Sequence, residues 1–169
     1  SIGFGSALAA LGDVNGDSVP DFVVCPQGRV YSGASRVVLY TVAEPGSAVA
    51  AVGDLNGDQV TDFAMGLPGG GIGGGRVVAY SGATGASLFA VNGADPGPSF
   101  GIGEQFGCSV AGIGDTNSDG TRDILVGARG ASYFVGGFFM FNLGRAYVVS
   151  GTNGSILATV SGEFERQSF

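Results

Sequence analysis

The 169-residue sequence contains no histidine, no tryptophan and no lysine, and it has only two cysteines. The absence of histidine excludes a Ser-His-Asp triad and any histidine-based general base. Seven arginines stand against 14 acidic residues, and the net charge of −7 lacks the basic footprint of a nucleic-acid-binding protein. No apolar run approaches the ~20 residues of a membrane span, and no signal segment is present. We expect neither nucleic-acid binding nor membrane insertion.

Glycine is abundant, with 34 residues, and it separates short runs of valine, alanine, leucine and tyrosine. Such short apolar runs bounded by turn residues are typical of β-strands joined by tight turns. No apolar stripe with the 3.6-residue helical period has a useful length. Since 44% of the residues are hydrophobic, the chain can bury a substantial core. These features predict a single all-β domain over residues 1–169.

One aspartate-rich pattern occurs three times, as LGDVNGDSVPDF at 11–22, VGDLNGDQVTDF at 52–63 and IGDTNSDGTRDI at 113–124. The three copies hold nine of the 14 acidic residues, so the net charge belongs largely to these loops. Counting from the first aspartate of each copy, side chains that carry oxygen recur at positions 1, 3, 5 and 9. Asx-turns would explain a single copy. Three copies with one spacing indicate metal binding.

The candidate ligands offer only oxygen, with no histidine, cysteine or methionine among them. Oxygen donors select a hard cation, and a flexible loop with three carboxylates favours Ca²⁺ over Mg²⁺. Position 7 varies in side chain and is expected to contribute its backbone carbonyl. An EF-hand is excluded, because its acidic ligand at position 12 is replaced by Val24, Met65 and Val126. We predict three Ca²⁺ sites, formed by Asp13, Asn15, Asp17, Val19 and Asp21; by Asp54, Asn56, Asp58, Val60 and Asp62; and by Asp115, Asn117, Asp119, Thr121 and Asp123.

Each loop lies inside a longer repeat that offers four short strands, one into the loop, one out of it, a Gly-Arg strand and a closing strand. Four-stranded antiparallel units repeated in this way are typical of β-propeller blades. We predict blade 1 at about residues 4–44, blade 2 at about 45–93, a connecting insert at 94–104 and blade 3 at about 105–162. Residues 163–169 are expected to start a further repeat or to form a tail.

Propellers usually have about four to eight blades, so three blades predict an incomplete ring. Either the sequence is part of a larger propeller, or copies associate to complete one. Two copies would form a homodimer with six blades. In blade 1, the segment SRVVLY at 35–40 fits the third strand as well as the fourth.

The combination of FG, GDVNGDSVPD and a following GAP-like element resembles the FG-GAP repeat of integrin α subunits and related bacterial surface proteins. The GAP-like element reads CPQ at 25, GLP at 66 and GAR at 127, while Pro45 replaces the opening phenylalanine of the second copy. The resemblance implies a propeller whose blade hairpins hold Ca²⁺. It also implies a secreted or cell-surface module for adhesion, with a protein or glycan ligand that the sequence does not identify.

Catalysis is not expected, since the acidic residues are almost all committed to the loops. The alternatives are an accessory or catalytic propeller of a secreted, phospholipase-like hydrolase, or a self-assembling ring unit without a further ligand. Cys25 and Cys108 align with small residues of the other repeats and are expected to be buried free thiols. Arg29, Arg76 and Arg145 recur at one repeat position and are expected to be structural. The aromatic insert at 132–142 predicts either a hairpin packed on the assembly or an exposed binding surface.

Overall fold

The computed structural model describes residues 3–70, 74–93, 103–135, 138–140 and 143–163 of the chain. They form three four-stranded antiparallel sheets and one two-stranded hairpin, with no helix among them. The all-β class is thus confirmed, and the three sheets are the blades of a partial β-propeller. In the described part of the chain, no helix is long and apolar enough to cross a membrane.

Blade 1 is a sheet whose strands follow one another in chain order. It consists of β1 (Leu8–Gly12), β2 (Asp21–Val24), β3 (Arg29–Tyr31) and β4 (Val38–Thr41). The segment at 35–40 was ambiguous from the sequence. Its first residues close a turn, in which the Ser32 N–H donates to the Val37 carbonyl at 3.0 Å, and its last residues, from Val38, form the fourth strand.

Blades 2 and 3 repeat this order. Blade 2 consists of β5 (Ala48–Gly53), β6 (Asp62–Leu67), β7 (Arg76–Tyr80) and β8 (Ser87–Asn92). Blade 3 consists of β9 (Phe106–Gly112), β10 (Ile124–Ala128), β13 (Arg145–Val149) and β14 (Ile156–Ser161). The insert of blade 3 pairs β11 (Tyr133–Val135) with β12 (Phe138–Met140), which confirms a hairpin. Whether its aromatic side chains pack or face solvent lies outside the described residues, as do residues 94–102 of the connecting insert and 164–169.

The first strands of the blades lie side by side, with β5 in contact with both β1 and β9. Glycine residues permit neighbouring blades to approach closely. A Cβ atom at Gly66, on β6, would lie 2.0 Å from the carbonyl oxygen of Gly107, on β9, which is far inside van der Waals contact. Glycine is therefore required at this position, where blades 2 and 3 meet.

Successive side chains of a strand point to opposite faces of the sheet. Blade 2 is buried on both faces because blade 1 packs on one of them and blade 3 on the other. Phe63 and Met65 pack against blade 1, whereas Ala64 packs against blade 3. The first core, between blades 1 and 2, contains Leu11, Val14, Val23, Cys25, Val30, Val42, Phe63, Met65, Val78 and Tyr80. The second core, between blades 2 and 3, contains Val52, Ala64, Val77, Ala79, Phe106, Ile124, Val126, Ala128, Ala131, Tyr147 and Val149.

Polar ties that the sequence did not reveal link the blades. The hydroxyl of Tyr40 donates to the carbonyl of Gly82 in blade 2. The hydroxyl of Tyr147 donates to the fully buried carboxylate of Glu104, which precedes β9. Arg76 forms a 3.3 Å ion pair with Glu44, in the connection between blades 1 and 2, in agreement with a structural role for that arginine.

The two cysteines differ in environment. Both are free thiols, but only Cys25 is fully buried, while Cys108 is partly exposed. The expectation of two buried thiols is therefore correct for Cys25 alone. Burial raises the pKa of the Cys25 thiol to about 11, so it is protonated at neutral pH.

Candidate metal centres

All three aspartate-rich loops join the first two strands of a blade, and they share one hydrogen-bond pattern that begins at position 1. In blade 1, Oδ1 of Asp13 accepts the backbone N–H groups of Asn15, Gly16 and Asp17 at 2.7–3.2 Å, and Oδ2 accepts that of Ser18 at 2.7 Å. Asp54 repeats all four bonds in blade 2. In blade 3, Asp115 accepts the last two of them, from the N–H groups of Asp119 and Gly120 at 3.2 and 2.8 Å. The first aspartate therefore organises the loop around its own carboxylate.

Positions 3 and 5 form a second shared element. In blade 2, Nδ2 of Asn56 donates to Oδ2 of Asp58 at 2.9 Å, and the N–H of Asp58 donates back to Oδ1 of Asn56 at 3.0 Å. The equivalent reciprocal pairs occur in blades 1 and 3. Because the amide nitrogen faces the neighbouring carboxylate, the amide oxygen faces the loop backbone.

The backbone of each loop enters the left-handed region twice, at positions 4 and 6. Glycine occupies position 4 in the first two loops and position 6 in the third, where Gly120 has a φ of 89°. The other left-handed positions carry serine or glutamine, as at Ser118 with a φ of 61°. Non-glycine residues rarely adopt this conformation, so the same loop shape is held even where glycine has moved.

Position 9 serves a different purpose, since its carboxylate is buried in every blade. Asp21, Asp62 and Asp123 are at most 1% exposed. In blade 2, Oδ2 of Asp62 accepts the N–H of Leu55 at 2.7 Å and Oδ1 accepts the N–H of Gly82 at 2.9 Å. The same two bonds recur in the other blades. Position 9 thus ties the loop to the turn between the third and fourth strands.

The serine that begins this turn was not predicted as a site residue, yet it lies against the loop. The hydroxyls of Ser32 and Ser150 donate to Oδ2 of the position 5 aspartates, Asp17 and Asp119, at 3.3 and 3.5 Å. Their equivalent in blade 2, Ser81, is 2% exposed, and its hydroxyl has no hydrogen-bond partner among the described residues. In the sequence, this serine is marked only by a Ser-Gly pair that recurs in each repeat, and such a pair indicates no more than a turn.

Electrostatics divide the loop carboxylates into two groups. The N–H of Ser18 is the main cause that lowers the pKa of Asp13, and the amide of Asn117 does the same for Asp119. At Asp54, burial acts to raise the pKa, but four backbone N–H bonds outweigh it and the net shift is downward. Burial raises the pKa of Asp62 despite its bonds from Gly82 and Leu55. The shifted aspartates at positions 1 and 5 are therefore ionised at neutral pH.

Within the described residues, no group of three or more histidine, cysteine, aspartate or glutamate side chains converges into a ready-made metal site. The carboxylates accept N–H groups of the loop. The donor set nevertheless fits a hard cation, because it contains only oxygen and the lowered pKa values of Asp13, Asp54 and Asp119 keep these carboxylates ionised. Asp58 accepts two described hydrogen bonds, whereas an ionised carboxylate has about four acceptor sites. The unpartnered hydroxyl of Ser81 is a further polar group beside this loop.

Comparison with known proteins supports the repeat. A search of curated proteins found no match to the chain. A protein-family model described as the FG-GAP repeat matches residues 4–37, which include the opening Phe-Gly and the first aspartate-rich loop. Such repeats are generally not catalytic. Residues 4–37 of the chain therefore match an FG-GAP repeat, a repeat that belongs to integrin alpha-type β-propeller proteins.

Proposed function

We propose that the chain is a calcium-binding β-propeller module for interaction at the cell surface or outside the cell. In each loop, the side chains of positions 1, 3, 5 and 9 and the carbonyl of position 7 would hold one Ca²⁺. The ion would supply positive charge that offsets three clustered carboxylates and thereby fixes the loop between its two strands.

One observation carries this proposal, namely that three loops of different sequence share a single hydrogen-bond scaffold. The scaffold places the carboxylates of positions 1 and 5 at the surface of each blade, and the lowered pKa values of Asp13, Asp54 and Asp119 keep these groups ionised. Metal ligands must be deprotonated, so ionised oxygens in a preformed loop favour a cation. Three divalent cations, +6 in total, would bring the net charge of −7 to −1.

Isothermal titration of the chelator-treated chain with CaCl₂ tests the calcium sites. We expect three ions per chain, and we expect Asp58→Ala to bind two because position 5 of the second loop is lost. Glu44→Gln is the matched control, since Glu44 is an exposed acid outside the loops and its loss leaves three sites. Absence of heat with calcium, or full stoichiometry in Asp58→Ala, would contradict the assignment.

Thermal unfolding provides a second test. A ligand that binds only the folded state stabilises it by ~2.7 kcal/mol per site at a hundredfold excess over Kd. The midpoint should rise with Ca²⁺, rise less with Mg²⁺ and fall with chelator. Equal midpoints in all three conditions would rule out a structural role for calcium.

The extracellular assignment has its own test. An antiserum against the chain should label intact cells of the source organism or detect the protein in the culture medium. Detection only after the cells are lysed would contradict this part of the proposal and leave calcium binding unaffected.

A further inference from the structure

Four asparagines of the chain are directly followed by glycine, namely Asn15, Asn56, Asn92 and Asn153. In such a pair the backbone nitrogen of the glycine can attack the side-chain carbon Cγ of the asparagine, because glycine has no Cβ to obstruct the approach. All four asparagines are exposed, so their own exposure does not distinguish them. The surroundings of the four glycines do.

Gly154 and Gly93 are packed against other parts of the fold. The N–H of Gly154 donates to the Ser150 carbonyl at 2.9 Å, and a Cβ atom at Gly154 would lie 2.8 Å from the ring of Phe89 in blade 2. Gly93 is equally crowded, since a Cβ there would lie 2.6 Å from the Gly74 carbonyl oxygen. Neither glycine can turn towards the preceding side chain unless the packing around it is broken.

Gly16 and Gly57, at position 4 of the first two loops, are exposed instead, and a Cβ atom at either would meet nothing within 4 Å. Each N–H donates to the carboxylate of position 1 at 2.7 Å. The preceding asparagine is held by its reciprocal pair with position 5. All these bonds join residues of one short exposed loop, so they can break while both cores stay intact. Local openings of this kind require much less free energy than global unfolding.

The third loop has serine at position 4 and provides a comparison within the same chain. Asn117 forms the same reciprocal pair with Asp119. Ser118 has a φ of 61° and Gly16 a φ of 82°, so both lie in the left-handed region. The scaffold is shared, and the difference is the Cβ of Ser118, which stands beside the nitrogen that would attack.

We propose that Asn15 and Asn56 are sites of spontaneous deamidation and that they react when their loop opens. In the open loop, the glycine nitrogen loses its proton to water and bonds to Cγ of the asparagine. The bond from Cγ to the amide nitrogen breaks, and ammonia leaves with a proton from water. A second water molecule opens the resulting five-membered imide at one of its two C–N bonds, which leaves aspartate or isoaspartate at position 3. In sum, asparagine and water become a carboxylic acid and ammonia, with no oxidation or reduction.

The conversion changes the loop in one direction only. Nδ2 of Asn56 donates to Oδ2 of Asp58 at 2.9 Å, and an ionised carboxylate at position 3 has no proton to donate. Two carboxylates would then face each other where a hydrogen bond had been, and like charges at this distance repel. Isoaspartate also lengthens the main chain by one methylene group. The first two loops therefore lose their scaffold after conversion, whereas the third keeps it.

Peptide mass mapping tests the proposal on the folded chain, incubated with chelator at mildly alkaline pH. Cleavage after arginine places Asn15, Asn56 and Asn153 in three separate peptides. Asn15 and Asn56 should convert at least ~10-fold faster than Asn153, which corresponds to a loop that opens for ~1.4 kcal/mol less than the packed turn. In urea, where the packing is lost, the three rates should become similar.

Two exchanged variants separate the effect of the glycine from that of the loop. Gly57→Ser should slow the conversion of Asn56 to the rate of Asn117, and Ser118→Gly should raise Asn117 to the rate of Asn15. Both substitutions fit the backbone, because the third loop already holds serine, and the first two hold glycine, in this conformation. Cooperative thermal unfolding of each variant confirms that it is folded.

Three outcomes would overturn the proposal. Equal rates at Asn15 and Asn153 in the folded chain would show that packing of the glycine gives no protection. An unchanged rate at Asn56 in Gly57→Ser would exclude attack by the glycine nitrogen. A folded chain in which neither Asn15 nor Asn56 converts, over a period in which both convert in urea, would show that the loops stay closed. The incubation contains no calcium, so its result is independent of the proposed function.

Discussion

The backbone N–H of Gly82 donates a 2.9 Å hydrogen bond to Oδ1 of Asp62, so the turn between β7 and β8 is fastened to the loop before β6. The other oxygen of Asp62 accepts the N–H of Leu55, at the start of that loop. One buried carboxylate thus holds two segments of a blade together without any ion. Position 9 therefore has an architectural role in addition to its proposed role as a metal ligand.

Asp62→Ala should destabilise the chain even in the presence of chelator. The substitution leaves two backbone donors unsatisfied, at about 1–3 kcal/mol for each buried one. Urea unfolding in EDTA measures the loss, with Asp58→Ala as the control, because Asp58 is exposed. If the two variants lose equal stability under chelation, position 9 has no architectural role.

Gly66→Ala should destabilise the contact between blades 2 and 3. The new Cβ would lie 2.0 Å from the Gly107 carbonyl oxygen, and overpacking of this kind typically costs about 1–3 kcal/mol. Gly69→Ala is the control, because a Cβ at that exposed position meets nothing within 4 Å. The midpoint of thermal unfolding should fall for Gly66→Ala only, and an unchanged midpoint would show that the two strands separate freely.

Phe63→Ala and Phe22→Ala should differ although the two residues share one repeat position and one stacked tyrosine. Phe63 is fully buried, and a buried phenylalanine truncated to alanine typically costs about 3–5 kcal/mol. Phe22 is only partly buried, so its loss should cost less than half as much. Denaturant unfolding at low protein concentration compares them. Equal losses would mean that Phe22 is covered within a single chain.

Stability should decline in alkaline solution. Burial raises the pKa of Cys25 to about 11 and, together with the bond to Glu104, that of Tyr147 to about 12. The folded state therefore holds these protons more tightly than the unfolded state, in which the thiol ionises near 9.0. This stabilisation is complete below pH 9 and is lost as pH rises through 11 and 12. Cys25→Ala should flatten the fall between pH 9 and 11, measured by urea unfolding; an identical slope would contradict the burial effect.

The two thiols should react at different rates. Cys25 is fully buried with a raised pKa, while Cys108 is partly exposed on β9. Because the thiolate is the reactive form, a thiol reagent at neutral pH should modify Cys108 and leave Cys25 intact until the chain unfolds. Peptide mass mapping identifies the modified residue. Modification of Cys25 in the native chain would show that the first core opens readily.

Much of the architecture could be predicted from sequence because the repeat is recognised by features of neighbouring residues. Strands of period two, Ser-Gly turns and a fixed aspartate spacing each depend on near neighbours along the chain, and all recur three times. The ambiguous segment at 35–40 shows the limit of such reasoning, since both the third and the fourth strand have the same local pattern. Its antiparallel pairing with β3, in which Val38 lies opposite Tyr31 and Tyr40 opposite Val30, places it in the fourth.

The sequence by itself determined the four-stranded units and the composition of the loops. Tertiary structure decided which of the aspartates are buried, since that depends on a turn 20 residues away, as with Asp62 and Gly82. It also decided that Phe63 is fully buried and Phe22 only partly buried, although both occupy the same place in the repeat. A residue's burial depends on the sheet that packs against it, and the residues around it in the sequence do not indicate which sheet that is.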